Sequence, residues 1–211
     1  VVLDHHSSVP ERVKNLPFFH FDSDKCGAML TWDYFLGTFQ NTELQHVPQL
    51  FRTVSPPSLV SYVNDRDLWN WKLRDSKAVS AFIDSYPRSF DHWDLINAYF
   101  ATNFCGIVED GKAILRCKNQ IVERCVESAE LISISGYDVW AVNATEFHSE
   151  IGHELAKKGP FGVVYKVQNG KRFYSLRSIG DFDVSKLATL FGGGGNKNAA
   201  GFSVVDRSTA L

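Results

Sequence analysis

Apolar residues recur along the chain with two different periods, and the change falls near residue 132. Before it, short apolar runs alternate with segments whose apolar residues recur every three or four positions, which is typical of strands alternating with helices. A helical stretch that starts near His46 must break at Pro56 and Pro57, and Pro57 can occupy the first turn of the next helix. The predicted helices span 24–35, 57–63, 75–86 and 89–104. The first of them has an apolar face of Ala28, Leu30, Trp32, Phe35 and Leu36.

The longest uninterrupted helical pattern covers 111–131, and alternation with a period of two follows it. The later elements are predicted strands at 137–142, 162–167 and 172–178, a hairpin turn at Gly170 and a helix at 184–191. The segment from Ser149 to Leu155, flanked by His148, is predicted to be a packed helix rather than a metal site. The sequence thus predicts an α/β fold with a partial parallel sheet in a first lobe, a smaller mixed α/β second lobe, and a long helix joining them.

Composition narrows the range of partners. The chain has 211 residues, of which 44% are hydrophobic and 22% are charged, as in ordinary globular proteins. The formal net charge of −2 provides no basic surface. Long duplex nucleic acid is therefore not expected as a partner, because its binding depends on neutralising phosphates. No apolar run is long enough to predict a transmembrane helix, so no membrane partner is expected either.

The cysteines and the first residues bear on the compartment. Cys26, Cys105, Cys117 and Cys125 form no C-x-x-C pair and do not have zinc-site spacing. A reducing intracellular compartment, the cytoplasm or an organelle matrix, is the simplest interpretation. The chain shows no signal peptide. It also begins without Met inside a predicted strand, so we expect the sequence to be incomplete at its amino terminus.

An acid and two imidazoles follow the first predicted strand. Three apolar residues, 1–3, precede Asp4, His5 and His6. Ligands of open α/β sheets bind just beyond the carboxyl ends of strands. Imidazole and carboxylate donors together suit Mn, Fe or Zn. Taken alone, this tripeptide is also compatible with an ordinary surface turn.

Near the carboxyl terminus, four glycines precede an Asn-Lys-Asn segment. The backbone N–H groups of Gly192, Gly193, Gly194 and Gly195 can form an anion-binding nest. If the segment beginning at Asn196 opens a helix, the helix N-terminus also favours phosphate, and Lys197 adds a point charge. The alternative is a flexible linker, but packed-looking apolar residues flank the run on both sides.

These two ends of the chain resemble the DHH/DHHA1 phosphoesterase family. Residues 2–6 match the DHH motif, and the glycine run through Phe202 is similar to the DHHA1 signature. Other parts of that signature are resembled by 174–178, 183–184 and 187–188. Segments 21–22, 27–28 and 62–69, with Trp32, resemble a subgroup of bacterial-type members. The resemblance spans nearly the whole chain.

The resemblance implies an enzyme that hydrolyses phosphodiester or phosphomonoester bonds in small nucleotides or short oligonucleotides, with two Mn²⁺ ions as is usual in the family. It also implies a DHH domain over 1–110, a linking helix over 111–131 and a DHHA1 substrate-binding domain over 132–211. A homodimer and a subunit of a larger complex are both compatible with it.

The resemblance assigns roles to individual residues. His5 becomes a metal ligand, joined by Asp65, with Asp67 as the second choice. His6 faces the scissile phosphate or completes the metal shell, and Asp4 orients an imidazole. The alternative for residues 65–67 is a local ion-pair turn.

For substrate, the resemblance implies that Arg177 binds a distal phosphate or carboxylate. The glycine run, Asn196 and Lys197 line the substrate site beside it. The alternative for Arg177 is a surface salt bridge with Asp181 or Asp183.

The chain departs from the family pattern in two ways. The acids that family members carry before the DHH strand are not in this sequence, so only two or three metal ligands can be assigned. Asn196 stands where the family usually has a histidine. These departures favour an alternative, a catalytically degenerate member that serves as a structural or binding subunit.

Overall fold

The computed structural model describes residues 1–6, 9–36 and 55–206. They form two units: 1–5, 10–36 and 55–117 belong to the first, and 6, 9 and 118–206 belong to the second. The 46–54 part of the helical stretch predicted near His46 lies outside the described residues. The domain boundaries implied by the family resemblance stay a prediction.

The first unit contains the predicted amino-terminal strand. β1 (Val2–Asp4) pairs in parallel with β2 (Phe19–Phe21), and Leu3 lies opposite His20. The helices that belong to this unit are α1 (Glu11–Lys14), α2 (Gly27–Leu36), α3 (Ser58–Asp67), α4 (Ser76–Asp84) and α5 (Phe90–Thr102). A further helix, α6 (Phe104–Glu127), runs through the boundary between the units.

The buried face of helix α2 agrees only in part with the prediction. The main core cluster of the first unit contains Tyr62, Val79, Phe82, Ile96, Ile107 and Val108. In α2, Leu30 is buried as predicted, but Ala28 and Phe35 are exposed. Asp33 is buried instead, and its carboxylate lies 2.9 Å from Lys25 Nζ. The predicted apolar face of α2 was therefore partly wrong, because an ion pair takes part of the buried side.

The bounds of two helices differ clearly from the prediction. Helix α3 continues to Asp67 rather than ending at Val63, so Asp65 lies inside the helix. Helix α6 starts at Phe104 and ends at Glu127, and Leu131 belongs to the strand that follows. Leu131 fits the helical spacing, but it lies on an edge strand and is 59% exposed.

The second unit is built on one mixed sheet. Its strands lie in the order β3-β4-β5-β6-β8-β7, with β4 and β5 parallel and the other neighbouring pairs antiparallel. The strands are β3 (Glu130–Ile134), β4 (Tyr137–Asn143), β5 (Gly162–Gln168), β6 (Lys171–Arg177), β7 (Gly194–Asn196) and β8 (Ala199–Val205). Asn169 and Gly170 form the predicted hairpin turn, both at positive φ, which is typical of an Asn-Gly turn.

Helices cover both faces of this sheet, and α6 contributes Val122 to the same face as α7. Ile151 and Leu155 of α7 (His148–Ala156) pack with Val142 and Val164. Helix α8 (Val184–Leu190) packs against the opposite side chains of the same strands, including Val163 and Leu176. Successive strand residues point to opposite faces, so Leu176 lies towards α8 and Arg177 towards α7. The α/β class with a parallel strand pair and a mixed second sheet is thus confirmed.

Within the described parts of the chain, no helix combines the length and the apolar character needed to cross a membrane.

Candidate functional site

The end of β1 brings one imidazole close to one carboxylate. His5 follows β1 directly, and Asp67 is the last residue of α3. His5 Nε2 lies 3.5 Å from Asp67 Oδ2, with side-chain exposures of 13% and 47%. An imidazole and a carboxylate at this distance can form an ion pair or supply two donors to one divalent metal ion.

Asp65 occupies a different environment from Asp67. It is buried, and its Oδ1 accepts a hydrogen bond of 2.9 Å from Lys72 N–H. Its Oδ2 accepts from Leu73 N–H at 3.3 Å and from Ser76 Oγ at 2.5 Å. Both oxygens therefore hold the loop that follows α3. This geometry favours a structural role for Asp65, and its assignment as a ligand stays a prediction.

The two acids cannot point the same way. They are two positions apart on α3, which corresponds to a rotation of about 200° around a helix axis. Asp67, the second choice from the sequence, is the one whose carboxylate lies near His5. The alternative of a local ion-pair turn is wrong, because Arg66 Nη1 lies 2.5 Å from Asp84 Oδ1 on α4.

The other residues of the DHH motif have different surroundings. Asp4 Oδ1 accepts a hydrogen bond of 2.7 Å from the backbone N–H of His5, which fixes the backbone at the end of β1. His6 is exposed. The roles predicted for Asp4 and His6 stay predictions.

A thiol also lies near the His5–Asp67 pair. Cys26 is buried, and its backbone N–H donates to Asn64 Oδ1 at 2.7 Å. Burial raises the pKa of the Cys26 thiol, and the Asp67 carboxylate raises it further. Both effects favour the neutral thiol over the thiolate.

The described residues fit only part of a metal site. Among them, no group of three or more His, Cys, Asp or Glu side chains is arranged to hold a metal ion. The His5–Asp67 pair suits a divalent ion by chemistry, but two donors do not complete one coordination sphere. These described residues alone therefore do not form a complete metal centre.

Arg177, the predicted substrate-binding cation, lies at the end of β6. Its Nη1 donates to the carbonyl oxygen of Leu176 at 2.9 Å, and its Nη2 donates to Ser149 Oγ at 2.8 Å. Burial lowers the pKa of the guanidinium, and the nearby Glu150 carboxylate raises it. The alternative, a surface salt bridge with Asp181 or Asp183, is not the arrangement found.

Those two acids have other partners. Asp181 Oδ1 lies 3.0 Å from Lys197 Nζ, and this cation lowers the pKa of the Asp181 carboxyl. Asp183 caps α8, and its Oδ1 accepts from Ser185 N–H and Oγ. The charge of Lys197 is thus partly engaged at the surface, and its predicted role in substrate binding stays a prediction.

The glycine run has structural tasks of its own. Gly192 has φ of 74° and ends α8, where its N–H donates to Thr189 O and the N–H of Gly193 donates to Ala188 O. A Cβ on Gly193 would lie 2.1 Å from the carbonyl oxygen of Gly201. Two of the four N–H groups are therefore engaged at the end of α8, and Gly194 and Gly195 belong to the paired strand β7. The anion-binding nest stays a prediction.

The segment after the run is not helical. Gly194–Asn196 and Ala199–Val205 form the antiparallel strands β7 and β8, with Asn196 opposite Ala199. The conditional prediction of a helix starting at Asn196 was wrong, because this segment completes the sheet edge. A role of Asn196 in substrate binding stays a prediction.

The polar contacts around Arg177 were not predicted from the sequence. Helix α7 was predicted correctly as a packed helix. In its first turn, Ser149 accepts a hydrogen bond from Arg177, and Glu150 forms an ion pair with Lys118 of α6. His148 Nδ1 also lies 3.4 Å from Ser175 Oγ. These partners are 27 to 32 residues apart in the chain, so no local pattern could reveal them.

Comparisons with known proteins agree with the motifs. No family model matches the chain. It is 27% identical over 216 residues to the uncharacterized protein R106 of Acanthamoeba polyphaga mimivirus, covering 96% of this chain and 47% of that protein. It is 28% identical over 153 residues to oligoribonuclease NrnB of Bacillus subtilis, covering 68% of this chain and 38% of that protein. The chain thus spans less than half the length of either relative.

Solved structures show a weaker likeness. A pGpG-specific phosphodiesterase, PggH, from Vibrio cholerae matches with a TM-score of 0.41 and 13% identity, over 84% of this chain and 67% of that one. The relationship to the oligoribonuclease and the motifs quoted above confirm the predicted resemblance to DHH/DHHA1 phosphoesterases.

Proposed function

We propose that the chain is part of a metal-dependent phosphoesterase that cleaves phosphodiester or phosphomonoester bonds in small nucleotides or short oligonucleotides. The observation that carries this proposal is the approach of His5 to Asp67 directly after the DHH strand. The similarity to an oligoribonuclease supports the substrate class. Manganese, the ion usual in the resembled family, is the proposed cofactor.

Each residue has a task in this proposal. A bound divalent ion would supply an activated water and offset the charge of the phosphate oxygens. His5 and Asp67 would each donate one ligand atom to it, and further ligands must come from elsewhere. Asp4 would keep His5 oriented through the backbone, and His6 would face the phosphate. Arg177, with three of its five N–H groups outside the two hydrogen bonds described above, would bind a phosphate of the substrate.

The direct test is hydrolysis of a 5′-phosphorylated diadenylate, pApA, by the natural full-length protein. We expect AMP to form with Mn²⁺ present and to cease forming when EDTA removes the ion. Ca²⁺, which prefers all-oxygen ligands, is expected to replace Mn²⁺ poorly. If the loaded protein binds pApA but never cleaves it, the degenerate alternative is correct.

A second expectation concerns Arg177. Replacing Arg177 by alanine should raise KM for pApA by about tenfold or more and change kcat less, because a contact to a distal phosphate is made equally in the ground and transition states. The measurement is steady-state hydrolysis over a range of pApA concentrations. Lys171→Ala, which removes an exposed cation from the other end of the same strand, is the matched control. An unchanged KM for Arg177→Ala would contradict the assignment.

A further inference from the structure

The first turn of α7 holds the guanidinium of Arg177 in place. Ser149 is the second residue of this helix, and its hydroxyl oxygen accepts from Arg177 Nη2 at 2.8 Å. On the other side, Nη1 donates to the carbonyl oxygen of Leu176 at 2.9 Å. Two terminal nitrogens fixed by separate acceptors define the plane of the group and the direction of its remaining N–H bonds.

Gly152, on the same helix, leaves space for the side chain of Arg177 against the helix backbone. A Cβ added to Gly152 would lie 2.8 Å from Cγ and 3.2 Å from Cβ of Arg177. The stem of the arginine therefore lies directly against the backbone of α7, one turn after Ser149. A side chain at this position would displace the stem and carry the guanidinium away from the serine.

The charges around Arg177 leave room for an anion. Glu150, next to Ser149, interacts electrostatically with Arg177, but its carboxylate also pairs with Lys118, which is only 8% exposed. The two hydrogen-bond acceptors of Arg177 are neutral oxygens. A partly desolvated cation with neutral partners gains most from an added anion such as phosphate.

We propose that Ser149 is a positioning residue, which orients the Arg177 guanidinium so that its outward N–H groups meet a phosphate of the substrate. This inference rests on the role of Arg177 given under Proposed function. Ser149 itself does not touch the substrate. It acts by fixing a flexible side chain before binding, which lowers the entropy lost when the phosphate arrives.

The decisive comparison uses two β-branched replacements of the same shape. Ser149→Thr keeps the hydroxyl, whereas Ser149→Val removes it, and both place the same branched side chain in the first turn of α7. Ser128→Ala is the matched control, because this exposed serine donates only to a backbone carbonyl, that of Cys125. Thermal unfolding checks that the Ser149→Thr and Ser149→Val variants fold equally well.

Binding is measured with the full-length protein and pApA in EDTA, so that it does not depend on turnover. We expect the dissociation constant to rise about tenfold for Ser149→Val, the equivalent of one hydrogen bond to a charged group, and to change less than about twofold for Ser149→Thr and Ser128→Ala. In hydrolysis assays with Mn²⁺, the valine variant should raise KM and leave kcat nearly unchanged.

The outcomes separate this inference from the proposed function. Equal affinities of the threonine and valine variants would overturn the role of Ser149 and leave the phosphoesterase proposal intact. Binding that follows the predicted order without any hydrolysis would support Ser149 and overturn the phosphoesterase proposal. If the unsubstituted protein does not bind pApA in EDTA, Arg177 does not hold the phosphate by itself, and the role of Ser149 is overturned.

Discussion

Replacing Asp67 by alanine in the natural full-length protein is expected to lower kcat/KM for Mn²⁺-dependent hydrolysis of pApA by about a hundredfold or more. Asp67 is the carboxylate that lies 3.5 Å from His5 Nε2. Losing a group that merely orients a metal ligand costs about 10- to 100-fold in metal affinity or activity, so losing a ligand should cost at least the upper value. The measurement is the initial rate over a range of Mn²⁺ concentrations.

A double substitution shows whether the two residues act at one site. His5→Ala should cause a loss similar to that of Asp67→Ala, and combining the two should add little, because residues that act as a unit are not additive. Asp110→Ala removes an exposed acid from α6 of the same unit and should have no effect. Full activity of Asp67→Ala would exclude this aspartate from the metal site.

The sequence was informative wherever a local pattern determines the structure. The alternation in 162–167 and 172–178 and the glycine at position 170 predicted the β5–β6 hairpin almost to the residue. It was less informative around Asn196, where alanines with good helix propensity follow the glycines. There the segment is a strand, because Ala200 and Phe202 have to fill the core beneath α8, and this tertiary demand overrides local propensity.

At the candidate site, too, local patterns could be predicted from the sequence and long-range contacts could not. The DHH motif predicted His5 as a ligand from five consecutive residues, 2–6, which is a local property. Choosing between Asp65 and Asp67 required the end of α3 and the loop beyond it, because the partners of Asp65 are 7 to 11 residues further along the chain. The contact of Ser149 with Arg177 joins a helix to a strand two elements later, which sequence spacing alone does not reveal.

The loop that Asp65 holds is strained. Trp69, Trp71 and Asp75 have φ of 57°, 54° and 52°, in the left-handed region that residues with a side chain rarely adopt. Such positions cost on the order of 1–3 kcal/mol each and persist only where their surroundings enforce them. The backbone carbonyl of Asp65 accepts from Asn70 N–H at 2.8 Å, and its carboxylate accepts from the next turn of the loop. Asp65 is thus the common acceptor that keeps this loop in place.

Replacing Asp65 by alanine is therefore expected to lower the free energy of unfolding by about 3 kcal/mol, even in EDTA. The change removes both carboxylate oxygens and leaves the N–H groups of Lys72 and Leu73 and the hydroxyl of Ser76 without this acceptor. Urea unfolding measures the lost stability. Hydrogen exchange of the backbone N–H groups of residues 72 and 73 should be accelerated more than that of the rest of the unit.

Asp65→Asn keeps one acceptor oxygen and should lose less stability. Asp84→Ala, which breaks a partly exposed ion pair with Arg66, is the control and should cost about 1 kcal/mol or less. If Asp65→Ala leaves stability and exchange unchanged in EDTA but abolishes the stabilisation that Mn²⁺ gives the unsubstituted protein, then Asp65 is a metal ligand and its structural role is wrong.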